Sequence, residues 1–329
     1  MTPVATAPPA DPPVPGLDER RGRARELGHR LGGLIDDPDA FTRAARDALA
    51  TLADERYREG LHRVAPGIRG AMGVRAPLIA ALARGFGSAL RRSRPAEALW
   101  VAEQLSRADE HEVRQLAIPF LRRSLTGDPE RTWQLIRRLG RRAADWIAVD
   151  TMASLVAEGI LREPYRWAEI EQLVYSESAW ERRLAGSTLA TLRSTARELA
   201  ARGMIAERLG PEDVARGLAV LGSLIGDDDP NVRKALSWAL RELAAVDRAQ
   251  VSAFVTTQAD LALSQHDGNR AWVLRDALVK LDPDAAAAVR TRLTGIRRSG
   301  RTGSSSTAAR IAAGFGRLPD PTTLPEPPL

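Results

Sequence analysis

The sequence predicts an all-α protein built as a solenoid of repeated helix pairs. Aromatic residues make up 5% of the 329 residues, while Ala, Leu and Arg dominate, and this composition favours helix. No segment alternates apolar and polar residues for long enough to indicate a strand. Comparable helical patterns begin near His111, Asp145, Ala179, Pro230 and Asn269, at intervals of 34, 34, 51 and 39 residues. These intervals bracket the roughly 40-residue period of two-helix repeats of the HEAT or armadillo kind. We therefore expect an all-α, right-handed superhelical solenoid of HEAT-like helix pairs with a concave basic face.

Composition divides the chain into three parts. Residues 1–16 are rich in Pro and Ala, which indicates a disordered lead-in. Residues 17–296 carry the helical patterns and are predicted to form the HEAT-like-repeat domain, in which Pro77 is placed to open a helix over 78–90. Residues 297–329 change to Arg, Gly, Ser and Pro, and we expect a flexible tail there.

A second, shorter and apolar helix is expected in several repeats, near Trp133, Trp167 and Val214. Gly, Asp and Pro clusters such as 127–130 and 226–230 separate the helices of a pair. Four tryptophans recur at helix-packing positions and are predicted to lie in the core: Trp100, Trp133, Trp167 and Trp272.

Several classes of site are improbable from composition alone. The chain contains no Cys, and its four His are dispersed, so we expect neither a metal nor another cofactor. No run of about 18 apolar residues occurs, and the N-terminus lacks a signal pattern. We expect a monomeric cytoplasmic protein that associates with the nucleoid.

The basic excess favours a nucleic-acid partner. The net charge is +6, and only Lys234 and Lys280 among the 48 basic residues are lysines. Arg binds phosphate bidentately and stacks on bases. A coding bias toward Arg explains the ratio of Arg to Lys, although it explains the basic excess less well.

The stretch from Arg142 to Val156 carries the main candidate site. Trp146 and Asp150 are four residues apart and therefore share one face of a helix. The neighbouring apolar residues supply a separate stripe, which leaves Asp150 hard to explain as core. An aromatic ring beside a carboxylate attracts cations. A solvated Asp beside a packed Trp is the alternative interpretation.

Equivalent helices of a solenoid line one face, so distant residues can converge there. The helices near 179 and 230 carry cations and further aromatic rings, which are Trp180, Arg182, Arg183, Arg233, Lys234 and Trp238, and of these Trp180 is expected to be structural. The cations suit phosphates, and the Trp146–Asp150 pair suits a positive group. DNA with a positively charged, damaged base would present both features.

The segments 145–150, 180–185 and 232–242 resemble the DNA alkylation repair family of HEAT-like-repeat glycosylases, the AlkD type. The segments 73–77 and 111–117 are also similar to earlier helices of that family, and the similarity covers roughly residues 52–281. The W-x-x-x-D element is short, but its ordered combination with W-x-x-R and K-A-x-x-W is more specific. The helix after Pro77 is less polar than this resemblance suggests.

The resemblance implies an enzyme that removes cationic N3- or N7-alkylated purines from duplex DNA without flipping the base into a pocket. It implies that Asp150 is the catalytic carboxylate, that Trp146 and Trp238 flank the lesion, and that Arg183 contacts the phosphate backbone. Arg182, Arg233 and Lys234 are the further candidates for contacts to DNA. The implied partner is duplex DNA with an alkylated purine, with no membrane involved.

Two alternatives stay open from the sequence. The same scaffold could bind DNA structure without catalysis, or it could serve as a protein-interaction solenoid. Preference for a methyl or a bulky adduct, and a role in general repair or in self-resistance to a DNA-alkylating compound, are also open.

Overall fold

A computed structural model describes residues 16–205, 209–297 and 303–314, and within these ranges the chain is helical and forms no strand. The Pro-rich lead-in lies outside the described residues except for Gly16. The chain folds as two compact units that divide between Leu135 and Ile136. This division falls inside the range 17–296 that the sequence assigns to one repeat domain, and the domain limits stay a prediction.

The helices of the first unit are α1 (Leu17–Leu31), α2 (Pro38–Leu52), α3 (Glu55–Val64), α4 (Ala76–Arg92), α5 (Pro95–Ser106), α6 (His111–Gln115) and α7 (Ala117–Ser124). The next helix, α8 (Pro129–Arg142), contains the division. The second unit holds α9 (Trp146–Arg162), α10 (Trp167–Leu173), α11 (Ala179–Ala201), α12 (Pro211–Leu224), α13 (Pro230–Leu243), α14 (Arg248–Ser264), α15 (Gly268–Ala277), α16 (Pro283–Arg292) and α17 (Thr307–Gly314). Short 3₁₀ turns cover Gly32–Leu34, Pro164–Arg166 and Leu278–Lys280.

Three phenylalanines form the core of the first unit. Phe41 of α2, Phe86 of α4 and Phe120 of α7 are fully buried, and their ring centroids lie 5.0 to 5.5 Å apart. Edge-to-face and stacked rings at such distances add to the stability that burial provides. Gly28 and Gly85 let α1 and α4 approach closely, since a Cβ at Gly28 would lie 2.0 Å from the carbonyl oxygen of Leu82.

The helical pattern that begins at His111 is interrupted in the structure. It forms α6 and α7, which meet at Leu116. Pro119 explains the interruption, because it has no N–H for the carbonyl of Gln115 and its ring crowds that carbonyl. The start of this helix at His111 is as predicted, whereas its interruption is not.

The second unit is built from helices in two rows. In one row α9 packs on α11, α11 on α13, and α13 on α15, while α12, α14 and α16 pack in the same order in the other. The first row consists of the helices that the sequence places near Asp145, Ala179, Pro230 and Asn269. The predicted all-α solenoid of helix pairs is thus confirmed as a class of fold. Its right-handed superhelical sense and its concave basic face stay predictions.

Aspartates fix the starts of three helices in the first row. The carboxylates of Asp145, Asp229 and Asp267 accept hydrogen bonds from the first backbone N–H groups of α9, α13 and α15. Such caps satisfy donors that have no partner within the helix, and they typically contribute about 1 kcal/mol each. They also set where each helix begins, and hence which residues share a level along the row.

Residues 303–314 of the expected tail include the helix α17, while the flexibility of the tail as a whole stays a prediction. Helix α17 packs on α12 and buries Ala308. The hydroxyl of Ser305 donates to the carboxylate of Asp267 at 2.5 Å, and the backbone N–H of Ser305 donates to the carbonyl of Gly226 at 3.0 Å. The Ser-rich composition suggested a linker, whereas these serines serve as anchors. Residues 298–302 and 315–329 lie outside the described residues.

The prediction of a core position is wrong for one of the four tryptophans. Trp100 of α5 is 58% exposed, whereas Trp133 and Trp167 are buried as predicted and Trp272 is partly buried. Helical spacing alone cannot separate the packed face of a helix from the face beside it, and Trp100 lies on the outer one.

Candidate functional site

Asp150 lies on α9 beside the apolar face of that helix, and its side chain contacts the neighbouring helix α11. Val149, Met152, Leu155 and Val156 are buried, as the apolar stripe predicted. The Asp150 side chain is 20% exposed, so it is neither a core residue nor a freely solvated one. A carboxylate in this position needs hydrogen-bond donors from the protein, because burying it without partners is costly.

Two side chains of α11 supply those donors. The Arg183 guanidinium donates from Nε to Oδ1 of Asp150 at 3.1 Å and from Nη2 to Oδ2 at 2.7 Å. The Ser187 hydroxyl donates to Oδ1 at 2.7 Å. Arg183 and Ser187 are one helical turn apart, and therefore reach Asp150 from the same face of α11. A two-pronged contact of this kind fixes the plane of the carboxylate as well as its position.

Arg183 is held in turn by α13. Its Nη1 donates to the backbone carbonyl of Asn231 at 2.6 Å, and its side chain is only 7% exposed. The network therefore joins α9, α11 and α13 through one guanidinium. Losing either charge would leave the other one enclosed without its partner, which is far more costly than losing a surface ion pair.

The aromatic candidates lie on the two helices that flank α11. Trp146 begins α9, one turn before Asp150, and is 36% exposed. Trp238 on α13 is partly exposed, and Lys234, one turn before it, is exposed. The row thus carries an accessible indole on α9, a second one on α13, and an exposed cation beside the second.

Arg182 has an internal role. Its Nε and Nη2 donate to the carboxylate of Asp227 at 2.7 and 3.3 Å, and its Nη1 donates to the backbone carbonyls of Ser176 and Glu177. Asp227 is almost completely buried. Most of the donors of Arg182 are therefore committed to joining the start of α11 to the loop before α13, which leaves little for a phosphate.

Arg233 is enclosed to an even greater degree. Its side chain is 1% exposed, hydrogen-bonds to Asn269 and lies over the ring of Trp272, with 5.6 Å between the guanidinium carbon and the ring centroid. A guanidinium so enclosed does not reach a phosphate in this conformation. In the structure Arg233 joins α13 to α15, and its contact to DNA stays a prediction.

Ser187 and the Asn231 carbonyl are the two participants that the sequence analysis missed. A signal for Ser187 was present, since it follows Arg183 by four residues and so shares its face. No sequence signal indicates the Asn231 carbonyl, because that contact depends on the register between α11 and α13. Gly186 sets this close register, as a Cβ there would lie 3.0 Å from the Cβ of Ala235.

Two features are absent from the described ranges. These ranges contain no group of three or more His, Cys, Asp or Glu side chains that could hold a metal ion. Among the same residues, no helix has the length and apolar character needed to span a membrane.

Comparison with known proteins places this arrangement in a family context. Residues 45–281 match the family described as DNA alkylation repair enzyme. No protein in a search of curated sequences matches the chain. The matched range includes α9, α11 and α13 and therefore every residue of the candidate site.

Proposed function

The chain belongs to the DNA alkylation repair enzyme family, and from this premise we propose that it is a DNA glycosylase. Its substrate is a cationic N3- or N7-alkylated purine in duplex DNA, and its products are the free base and an abasic site. One observation carries the proposal: a carboxylate with a fixed orientation, Asp150, lies one turn from an accessible indole, Trp146, on the same helix.

The reaction needs little help with the leaving group. An alkyl group on N3 or N7 makes the purine positively charged, so the electron pair of the glycosidic bond can move onto the base, which departs as a neutral molecule. The sugar is left with oxocarbenium character at C1′. Water then adds to C1′ and gives up a proton. Because the base is already cationic, no strong general acid is required.

Asp150 and the indoles are proposed to stabilise the positive charge that develops on the sugar during this step. A carboxylate placed beside C1′ stabilises the positive sugar and can orient the incoming water. The faces of Trp146 and Trp238 stabilise the same charge through their quadrupoles. A site of this kind lies open along a row of helices, so the proposal does not require the base to be flipped out of the duplex.

Arg183 and Lys234 take different parts in this proposal. Arg183 holds Asp150, and its Nη1 and Nη2 each retain an N–H beyond those used on Asn231 and Asp150, so the predicted phosphate contact is compatible with the ion pair. Lys234 is exposed on α13 and is proposed to contact the DNA backbone. Arg182 is left out because only one of its five N–H groups is not used within the protein, and Arg233 because it is almost completely buried.

The test is incubation of the protein with a duplex that carries one 7-methylguanine or 3-methyladenine, and with the unmodified duplex. We expect free alkylated base in solution and an alkali-labile abasic strand from the modified duplex alone. Binding that weakens with salt but releases no base would identify a non-catalytic DNA binder. The absence of DNA binding at moderate salt would instead favour a protein-interaction solenoid.

A further inference from the structure

The two oxygens of Asp150 are not equivalent. Oδ1 accepts two hydrogen bonds, from Nε of Arg183 and from the hydroxyl of Ser187, whereas Oδ2 accepts one, from Nη2 of Arg183. A carboxylate oxygen can accept about two hydrogen bonds. Among the described residues, Oδ1 is therefore saturated, and Oδ2 keeps room for one more donor.

Ser187 creates this difference. Its side chain is fully buried, so its hydroxyl is shielded from solvent and is directed to Oδ1 at 2.7 Å. The Arg183 fork alone would treat both oxygens alike, with one donor each. The serine adds a second donor to only one of them, and it does so from a rigid helix that packs on both α9 and α13.

We propose that Ser187 is a positioning residue for the reaction, which occupies Oδ1 of Asp150 and thereby assigns Oδ2 to the attacking water. The inference rests on the proposed glycosylase function. Ser187 itself touches neither the base nor the sugar. It acts through Asp150 by holding the carboxylate so that its unsaturated oxygen is the one available to the reacting water.

Loss of the hydroxyl has a specific consequence. In Ser187→Ala, each oxygen of Asp150 keeps one Arg183 donor, and the two oxygens then compete equally for water. Among the described residues, the carboxylate also loses its one hydrogen bond from a side chain other than Arg183, and it can then tilt more easily. Both effects act on the chemical step. Neither removes a contact to DNA, so affinity for the duplex should not change.

The experiment compares Ser187→Ala with Thr188→Val under single-turnover conditions on a duplex with one 7-methylguanine. Thr188 is the next residue on α11 and is equally buried, and its hydroxyl has no hydrogen-bond partner among the described residues. Both variants remove a buried hydroxyl from the same turn with little change in volume. Affinity for a duplex with a stable abasic analogue and the thermal unfolding midpoint are measured alongside.

We expect base release to slow about tenfold or more in Ser187→Ala, with DNA affinity unchanged within about twofold, and to stay near the wild-type rate in Thr188→Val. An unchanged rate in Ser187→Ala would overturn the inference while leaving the glycosylase function intact. Equal losses in both variants, or a loss that follows DNA affinity or thermal stability, would also overturn it. If the wild type releases no base, the proposed function fails and the inference fails with it.

Discussion

Trp146 and Asp150 are one turn apart on α9, and their surroundings give them different tasks. Asp150 is held by three hydrogen bonds from α11 and can move little. Trp146 is 36% exposed and presents part of its ring to the outside. The sequence was sufficient to pair these residues, because their spacing places them on one face. Spacing also places Ser187 on the face of Arg183, but its contact to Asp150 depends on how α9 and α11 pack, which spacing does not indicate.

Replacement of Trp146 by Ala tests the role of the indole. We expect base release to fall by about two- to thirtyfold, since a cation–π contact contributes about 0.5–2 kcal/mol. Thermal stability should change little because the ring is partly exposed. Trp100→Ala removes an even more exposed tryptophan from the first unit, and is the matched control that should keep the wild-type rate. Equal rates in the two variants would exclude Trp146 from the site.

The sequence does not distinguish the roles of three arginines on α11 and α13. Arg182, Arg183 and Arg233 have the same chemistry and comparable positions, yet each has a different partner: a buried Asp227, Asp150, and Asn269 with Trp272. Which arginine serves the site is decided by the register of neighbouring helices. Lys234 on α13 is exposed, unlike these three arginines, and it is therefore the sharper test of DNA contact.

Lys234→Gln should weaken binding to any duplex and reduce the slope of log K against log salt by about one. The reason is that one phosphate contact releases about one counterion. Lys280, the only other lysine, is exposed on the 3₁₀ turn Leu278–Lys280, and Lys280→Gln is the control. Titrations with fluorescent duplex at several salt concentrations measure both. An unchanged slope in Lys234→Gln would place the DNA elsewhere.

Among the elements, helix positions were well predicted and helix ends less so. The starts near 145, 179, 230 and 269 were predicted within one residue, because Asp or Ser precedes an apolar periodic run at each of them. The interruption between α6 and α7 was not predicted, nor was the exposure of Trp100 on α5. Both depend on local sterics or packing that hydrophobic periodicity does not report.

An ion pair between α2 and the start of α6 makes the first unit sensitive to pH. The hydrogen bond from Arg46 and its charge hold the pKa of Glu110 below the usual value, although burial acts in the opposite direction. A carboxylate whose pKa is lower in the folded state stabilises the fold above its unfolded pKa of about 4.3, and this stabilisation is lost as the pH falls through the folded pKa.

Arg46→Gln should therefore lower the free energy of unfolding at pH 7, by no more than about 1 kcal/mol because both side chains are partly exposed to solvent. The difference from wild type should shrink at an acidic pH below the folded-state pKa of Glu110, where the carboxyl is protonated in both states. Urea unfolding at the two pH values measures it, and Arg43→Gln, an exposed position on the same helix, is the control. A difference that persists at low pH would show that Arg46 stabilises by packing instead.

For the whole molecule, the predicted class of fold is confirmed, and the family follows from the match over residues 45–281. The ordered C-terminal segment was not predicted, because runs of Ser and Gly are typical of linkers. In the structure, Ser305 is tied to Asp267 and to the carbonyl of Gly226, just before the helices α15 and α13. The segment thus contacts the second unit beside the starts of α13 and α15, and α13 carries part of the candidate site.

Ser305→Asp should release this segment, because it places a second carboxylate against that of Asp267, which is almost completely buried. We expect a loss of about 1–3 kcal/mol in the free energy of unfolding. Ser305→Ala removes the hydrogen bond without adding charge and should lose less. The thermal unfolding midpoints of the two variants test this order, which would be reversed or absent if the segment were not docked in solution.

Asp150 is proposed to be the carboxylate that supports base release. Its matched control is Asp276 of α15, which forms a comparable ion pair with Arg241 of α13 in the same row of helices. The decisive measurement is the single-turnover rate of 7-methylguanine release from duplex DNA by wild type, Asp150→Asn and Asp276→Asn. We predict that Asp150→Asn loses about a hundredfold or more while Asp276→Asn stays within about threefold of wild type. Equal rates in wild type and Asp150→Asn would contradict the claim.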